Sequence, residues 1–253
     1  MSEQRDTGEP HGAADAAGGY RERASRLPGA VLWTNTARPS PGPVLPDGCT
    51  DLIWGEGHLL VAGPDTGPHL LGDVAPGSRY VGLRFAPGQG PAFFGVPAHE
   101  LRDQRVPLAD LWPAERVREL AERVSGATAP GRVLEEAAAA RLLEAAGPAD
   151  RDGRPGRTAA IAAALARGLP VAEVARSVAL SERQLHRRSL DAFGYGPQTL
   201  TRVLRLVRAL DLARSGVPYA QVAARAGYAD QAHLAREVKS LAGAPLGVLL
   251  GPG

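Results

Sequence analysis

An imperfect repeat near the C-terminus constrains the fold of this chain most strongly. The segments VAEVARSVALSERQLHRRSLDAFG (171–194) and YAQVAARAGYADQAHLAREVKSLAG (219–243) align with an offset of 48 residues at first and 49 after the turn. Each segment contains a short helix pattern, a turn, and a second amphipathic helix that ends at glycine. Because small alanines let two helices cross closely at a steep angle, the repeat predicts two helix-turn-helix units.

Residues at the helix ends support this interpretation. Ser181 and Asp230 are good N-caps for the second helix of each unit, because their side-chain oxygens accept hydrogen bonds from free backbone amides. Gly227 can supply the positive φ of a tight turn in the second unit, whereas Ala179 in the first unit predicts a different turn geometry. Between the units, residues 197–216 predict one long helix from the spacing of their leucines and valines.

Charge is distributed unevenly along the chain, although the formal net charge is only +2. Residues 158–253 hold 12 basic and 6 acidic side chains, whereas residues 1–157 hold 17 basic and 21 acidic ones. A basic part joined to an acidic part is typical of a polyanion-binding module attached to a domain with another role.

Hydropathy and cysteine content exclude several classes of protein. No apolar run approaches the roughly 20 residues that a transmembrane helix needs, and the N-terminus has no signal-peptide stretch. The single cysteine, Cys49, cannot form an internal disulfide, which fits a reducing compartment. We therefore expect a cytoplasmic protein that makes no membrane contact.

The sequence divides into four parts. Residues 1–25 are polar and lack periodicity, which predicts a disordered tail. Residues 26–146 predict a β-rich, barrel-like domain with two helices at its C-terminal end. Residues 147–157 predict a linker, and residues 158–253 predict an all-α domain, so the fold class is α+β. The predicted strands are AVLWT, CTDLIW, HLLVAG, HLLGDV and SRYVGLRFA.

The amino-acid sequence of the C-terminal part resembles that of a known family. FGYGPQTLTRVLRLVRALDLA and AGYADQAHLAREVKSLAG are similar to the corresponding segments of the AraC/XylS family of transcription regulators. The resemblance implies sequence-specific binding to double-stranded DNA, with the second helix of each unit in the major groove. A central helix of roughly 18 residues spans about 27 Å, close to the ~34 Å between successive major-groove faces.

The resemblance also implies which side chains meet DNA. The implied contacts are Arg183, His186, Arg187, Gln231, Ala232, His233 and Arg236. Either Arg183 or Arg187 reads guanine while the other holds phosphate, because guanidinium forms bidentate hydrogen bonds with both groups. In the second unit, Gln231 reads adenine, Ala232 meets a thymine methyl group and Arg236 takes phosphate.

Two positions depart from the family's pattern. The family commonly has phenylalanine on the inner face of each recognition helix, where this chain has Ser189 and Val238. Loss of such bulk from a core costs on the order of 2–4 kcal/mol at each site unless neighbours refill the space. A DNA-binding domain less stable than its relatives is therefore expected.

The N-terminal part carries a second resemblance. Residues 45–66, LPDGCTDLIWGEGHLLVAGPDT, resemble a domain often fused to this DNA-binding module, a divergent relative of the family's small β-barrel sensor domains. This implies a domain that senses a small molecule or mediates dimerisation. The candidate pocket residues are Asp47, Cys49, Asp51, Trp54 and Asp65. In the alternative, structural interpretation, Asp47 and Asp65 form turns and caps, and Cys49 is a small buried residue.

Two other functions stay open at this point. In one, the protein is a bifunctional regulator in which Cys49 is a reactive thiol that accepts an alkyl group. Against this, no basic residue that would activate a thiolate adjoins Cys49 in the sequence. In the other, the protein is a protein–protein adaptor that has lost DNA binding, as the replaced anchors Ser189 and Val238 suggest.

Enzyme motifs are absent from the sequence. The six histidines show no H-x-H or H-x₃-H spacing, and no G-x-S-x-G, P-loop or dinucleotide fingerprint occurs. We expect no enzyme activity, no catalytic residue, no metal and no cofactor. The expected partners are double-stranded DNA, a small-molecule effector, RNA polymerase at activated promoters, and a second copy of the chain in a homodimer.

Overall fold

The computed structural model describes residues 19–38, 42–72, 74–145 and 156–251. Most of the predicted linker (147–157) and the predicted tail up to residue 18 lie outside these ranges. The prediction that the tail extends to residue 25 is corrected, because Arg21–Ala24 form a β-strand that pairs with Val31–Thr36.

The N-terminal domain is built on one six-stranded antiparallel sheet. Its order is β1-β2-β5-β3-β4-β6, so that β1 and β6 form the two edges. The strands are β1 (Arg21–Ala24), β2 (Val31–Thr36), β3 (Thr50–Gly55), β4 (His58–Ala62), β5 (Arg79–Phe85) and β6 (Arg105–Pro107).

Four of the five predicted strands are confirmed, and one prediction is wrong. The described residues of the run HLLGDV form no strand; His69 makes a single antiparallel bridge with Val44, and Leu70 is exposed. The apolar run lacks a neighbouring strand long enough to continue the pairing beyond that bridge. Strand β6 has three residues, two of them Arg105 and Pro107, and carries no apolar alternation that a sequence pattern could detect.

The two faces of the sheet differ in chemistry. Leu83 on the central strand β5 lies opposite Leu32 and Leu52, and these side chains are buried on one face. Helices α1 (Gly90–Phe94), α2 (Ala114–Ser125) and α3 (Pro130–Ala145) pack on this face and complete the core. Since side chains alternate along a strand, Trp33, Asp51 and Arg84 fall on the other face.

A buried carboxylate joins the edge strand β1 to helix α3. Glu135 is 3% exposed and accepts hydrogen bonds from the Arg23 guanidinium, the Ser25 hydroxyl and the Arg26 amide. These bonds lower the pKa of Glu135 from 4.5 to about 2, with the Arg23 contact as the main cause. The strand that the sequence pattern missed is therefore fixed by polar contacts rather than by apolar periodicity.

The C-terminal domain is all-helical, as predicted. Its helices are α4 (Arg157–Ala166), α5 (Val171–Ser177), α6 (Glu182–Phe193), α7 (Pro197–Arg214), α8 (Tyr219–Ala226), α9 (Gln231–Ala242) and α10 (Leu246–Leu249). Helices α5–α6 and α8–α9 are the two helix-turn-helix units. The first half of α7 contributes Leu200 and Val203 to the core of the first unit, and its second half contributes Leu206 and Leu210 to the core of the second.

The turns of the two units begin alike, which corrects the expectation of a different geometry at Ala179. Ala179 has φ +55° and Gly227 has φ +84°, so both residues are left-handed. In each unit the next amide closes the same bond, from Leu180 to the Ala175 carbonyl and from Tyr228 to the Ala223 carbonyl, at 2.9 Å. A residue with a Cβ adopts this conformation at a cost of about 1–2 kcal/mol.

The two departures from the family's pattern lie in the cores of their units. Ser189 and Val238 both have no exposed surface. The Ser189 hydroxyl has no hydrogen-bond partner among the described residues. A buried hydroxyl without a partner costs about 1–3 kcal/mol, so polarity adds to the loss of bulk at this position.

Candidate nucleic-acid interface

The first recognition helix, α6, has a complete N-terminal capping box. The Ser181 hydroxyl accepts from the Gln184 amide at 3.2 Å, and the Gln184 side chain accepts from the Ser181 amide at 2.8 Å. Arg183 and Arg187 are exposed on the outer face, one turn apart. The start of α6 is thus capped by reciprocal hydrogen bonds, and the first two turns of the helix carry two exposed cations.

His186 is exposed on α6 but lies close to the start of α7. A Cβ added to Gly196 would come within 2.6 Å of the His186 Cε1 atom, so the imidazole covers the glycine backbone. Gly196 is the N-cap residue of α7. The His186 ring therefore packs over the junction between α6 and α7, beside the surface that carries Arg183 and Arg187.

The second recognition helix, α9, is capped in a similar way by different residues. Asp230 accepts from the His233 amide, and His233 Nδ1 accepts from the Ala229 amide at 3.2 Å. The His233 ring also meets Tyr228 edge-on at 5.3 Å between ring centres. With the repeat offset of 49, His233 corresponds to the capping residue Gln184. The structure therefore gives His233 a capping role, and its ring is already in contact with Tyr228.

The remaining predicted residues of α9 lie on its outer face. Gln231, Ala232 and Arg236 are all exposed. The same face continues to Lys239 and Ser240, which are also exposed and which the sequence interpretation missed. Helical spacing could have found them, because residues three and four positions after Arg236 lie on the same side of a helix.

The N-terminal domain contacts the C-terminal end of α6. Arg102 Nη1 donates to the Gly194 carbonyl at 3.3 Å, and His99 Nδ1 lies 3.5 Å from Asp191 Oδ1. Gly194 has φ +84°, and a Cβ there would come within 2.5 Å of Pro64. The backbone of the two domains is therefore in close contact at the end of the first recognition helix.

Tyr195, the next residue, extends this contact toward the sheet. Its side chain is 2% exposed, and its hydroxyl lies 3.2 Å from where a Cβ of Gly48 would be. Burial raises the pKa of the Tyr195 hydroxyl well above its usual value, with the Asp47 carboxylate as a further cause. Gly48 has φ +80°, a backbone conformation that favours glycine, and an added Cβ would be tightly packed against the Tyr195 hydroxyl.

A cavity of about 750 Å³ separates α1 from the recognition helix α6. Pro91 and Ala92 of α1 line one side, and Arg187 and Asp191 of α6 line the other. The N-terminal domain therefore flanks the first recognition helix as well as contacting its end.

The five predicted pocket residues do not form one site. Asp47, Cys49 and Asp51 lie together, but Trp54 packs with the apolar core on the opposite face of the sheet. Asp65 is buried at another place, where Arg105 donates to both of its carboxylate oxygens. The structure thus supports the interpretation of Asp65 as a structural residue.

Asp51 belongs to a polar cluster on the face of the sheet opposite the apolar core. Trp33 Nε1 donates to Asp51 Oδ1 at 2.6 Å, and Arg84 Nε lies 3.3 Å from the same oxygen. Arg84 Nε is also 3.6 Å from Asp47 Oδ2. Desolvation raises the pKa of Asp51 despite the opposing charge of Arg84. Trp33 and Arg84 were not predicted, because their partners are brought together by strand pairing.

The surroundings of Cys49 disfavour a thiolate. Its amide donates to Asp47 Oδ1 at 2.8 Å, which fixes the turn around Gly48. Burial, followed by the Asp47 carboxylate, raises the pKa of the Cys49 thiol well above its usual value. A nucleophilic cysteine requires the opposite shift, so the alternative of an alkyl-accepting thiol has no structural support.

Two negative findings concern the described residues alone. Within the ranges given above, no three His, Cys, Asp or Glu side chains are grouped so that they could hold a metal ion. In the same part of the chain, no helix has the length and apolar character needed to cross a bilayer.

Two family models match the chain. Residues 174–250 match a family described as "Helix-turn-helix domain", and residues 30–107 match one described as "Domain of unknown function (DUF6597)". A comparison with curated proteins found no match.

Among solved structures, the chain is similar to ToxT from Vibrio cholerae. One structure of ToxT is 10% identical, with a TM-score of 0.49 over 87% of this chain and 97% of that chain. An apo variant of ToxT is 10% identical, with a TM-score of 0.48 over 90% and 98%. ToxT with a bound unsaturated fatty acid is 9% identical, with a TM-score of 0.45 over 87% and 94%. At these values, roles of individual residues must be argued from this chain itself.

Two helix-turn-helix units joined by one long helix, each presenting a capped and solvent-exposed second helix, define a DNA-binding transcription regulator. The C-terminal domain is a helix-turn-helix domain of the AraC type, and residues 30–107 match the DUF6597 family.

Proposed function

We propose that the protein binds a specific DNA sequence by placing α6 and α9 in successive major grooves. The observation that carries this proposal is the matched construction of the two helices. Each is capped by a side-chain oxygen, from Ser181 or Asp230, and each buries one face while exposing polar side chains on the other. Helix α7 lies between them in the chain and, with 18 residues, is about 27 Å long.

Individual roles follow from donor geometry and position. Arg183 and Arg187 face solvent on α6, where one reads guanine and the other contacts phosphate, with His186 beside them. On α9, Gln231 reads adenine, and Ala232 meets a thymine methyl group. Arg236 contacts phosphate, and Lys239 adds a second cation to the same face.

The experiment that tests the proposal compares two arginine variants on a selected operator. Arg187→Ala should weaken specific binding by about 1–3 kcal/mol and relax the base preference at one position. Arg167→Ala removes the same charge from an exposed position outside both recognition helices, and serves as the matched control. Unchanged affinity and unchanged preference in the Arg187 variant, measured by gel-shift titration, would remove its proposed role.

We also propose that the N-terminal domain regulates the first recognition helix. The support is the contact at the end of α6, where His99 and Arg102 meet Asp191 and Gly194. A small-molecule effector or a second protomer that shifts the N-terminal domain would thereby change the placement of α6. Recruitment of RNA polymerase and homodimerisation are further predictions of the family resemblance.

A further inference from the structure

The central helix α7 contacts the second unit through two arginines about one turn apart. Arg202 Nε donates to Glu237 Oε2 at 2.9 Å, and Arg202 Nη2 donates to Oε1 at 3.2 Å, so the ion pair is bidentate. Arg205 Nη1 donates to the Gly227 carbonyl at 3.1 Å, and its guanidinium lies 5.0 Å from the centre of the Tyr228 ring. A bidentate pair fixes relative orientation as well as distance, because two parallel hydrogen bonds must form together.

Glu237 is a member of the recognition helix itself. It follows Arg236 in α9, and consecutive side chains on a helix point about 100° apart. Arg236 therefore faces solvent while Glu237 faces α7, where its side chain is 20% exposed. The hydrogen bonds from Arg202 lower the pKa of Glu237, so the pair is ionised at neutral pH.

The first unit has the opposite charge at the equivalent position. With the offset of 49, Glu237 corresponds to Arg188 of α6. A carboxylate that turned away from α7 would approach the phosphates that Arg236 is proposed to contact, and would repel them. Arg202 therefore has two effects. It neutralises the Glu237 carboxylate, and the same ion pair connects α7 to α9.

We propose that Arg202 and Glu237 are positioning residues that set the angle at which α9 enters its groove. The inference rests on the proposed function, in which α9 contacts DNA. It assigns different supports to the two recognition helices: α9 is oriented by α7, whereas the end of α6 is contacted by the N-terminal domain through Arg102 and His99.

The test uses the full-length protein and an operator selected from a random-sequence pool. Arg202→Gln should weaken binding about tenfold, with loss of footprint protection confined to the second half-site. Glu237→Gln should weaken DNA binding less. It removes the ion pair with Arg202, but it also removes the negative charge that would repel phosphate. The double variant should match Glu237→Gln rather than the product of the two single effects.

Two further variants keep the test decisive. Arg208→Gln removes the same charge from an exposed position farther along α7, and should leave the footprint unchanged. The charge-reversed pair, Arg202→Glu with Glu237→Arg, should recover second half-site protection that Arg202→Glu alone abolishes. Thermal unfolding, monitored by circular dichroism, identifies any variant that fails to fold. If a single variant does not fold, the charge-reversed pair is compared with the wild type instead.

Three outcomes would overturn the positioning role: additive single effects, equal loss at both half-sites, or an Arg202→Gln variant that behaves like Arg208→Gln. Failure of the proposed function has a different signature. In that case Arg236→Ala leaves protection of the second half-site intact. If Arg236→Ala abolishes this protection while Arg202→Gln does not change it, the positioning inference alone is wrong.

Discussion

Glu135 of α3 and Arg23 of β1 form a bidentate ion pair, with both nitrogen–oxygen distances at 2.9 Å, although 112 residues separate them in the chain. The carboxylate is almost fully buried, whereas the guanidinium is half exposed. Ser25 and the Arg26 amide fill its remaining acceptor positions. The Glu135 carboxylate thus connects the edge strand β1 to helix α3, which covers the sheet.

Glu135→Gln should lower the free energy of unfolding by about 1–3 kcal/mol at pH 7, because buried donors lose a charged acceptor. Glu136→Gln is the matched control, since its pair with Arg132 is exposed and contributes about 0.3–0.5 kcal/mol. Urea unfolding of both variants measures the difference. Equal destabilisation by the two substitutions would contradict the role of Glu135.

The same residue predicts a pH dependence. The pKa of Glu135 is lowered from 4.5 to about 2, so its contribution is fully present above pH 4.5 and is lost as the pH falls toward 2. The stability difference between the wild type and Glu135→Gln should therefore shrink across this interval. Unfolding curves at pH 7, 4 and 3 measure it, and a constant difference would argue against the assignment.

Ser189→Ala should stabilise the protein by about 1 kcal/mol, because it removes a buried hydroxyl that has no partner among the described residues. The control is Ser240→Ala on the exposed face of α9, which should change stability by less than about 0.5 kcal/mol. Calorimetry of the two variants gives the comparison. A lower midpoint for Ser189→Ala would show that the hydroxyl has a partner in solution.

The left-handed turn residues predict opposite effects of opposite substitutions. Ala179→Gly should stabilise the first unit by about 1 kcal/mol, because it relieves a Cβ at φ +55°. Gly227→Ala should destabilise the second unit by a similar amount, since it introduces a Cβ at φ +84°. Thermal unfolding of the pair checks both signs, and two changes in the same direction would refute the shared geometry.

Tyr195→Ala should destabilise the first helix-turn-helix unit, whose core contains this side chain, by about 3–5 kcal/mol and should also weaken the contact with the N-terminal domain at Gly48. We expect calorimetry to resolve two unfolding transitions where the wild type shows one. Tyr219→Ala, on a partly exposed residue of α8, is the control and should leave one transition. A single transition in both variants would mean that the domains are joined mainly by other contacts.

The helical half of the fold could be predicted from the sequence because its signals are local. Capping residues such as Ser181 and Asp230, and apolar spacing within α7, act over a few positions. Strands β1 and β6 could not be predicted in this way, since β1 depends on Glu135, more than a hundred residues away. The apolar run HLLGDV was misleading because a strand also requires a neighbouring strand.

The exposed faces of α6 and α9 were predicted more completely than the N-terminal pocket for a related reason. Helix periodicity places Arg187 and Arg236 on an outer face without knowledge of the rest of the molecule. Whether Asp51 and Trp54 share a site depends instead on the alternation of the strand, which puts neighbours on opposite faces. The capping contact of His233 was missed because a histidine at the third helical position has no distinctive sequence signature.

Helix α7 contributes Leu200 and Val203 to one core, and Leu206 and Leu210 to the next, without interruption. In the proposed function, this continuous packing fixes the distance between the two half-sites that the protein can bind. Inserting one base pair between two half-sites rotates the second by about 34° and displaces it by about 3.4 Å, a mismatch that a continuously packed helix cannot absorb. The proposed function therefore makes the spacing between the two half-sites part of what the protein recognises.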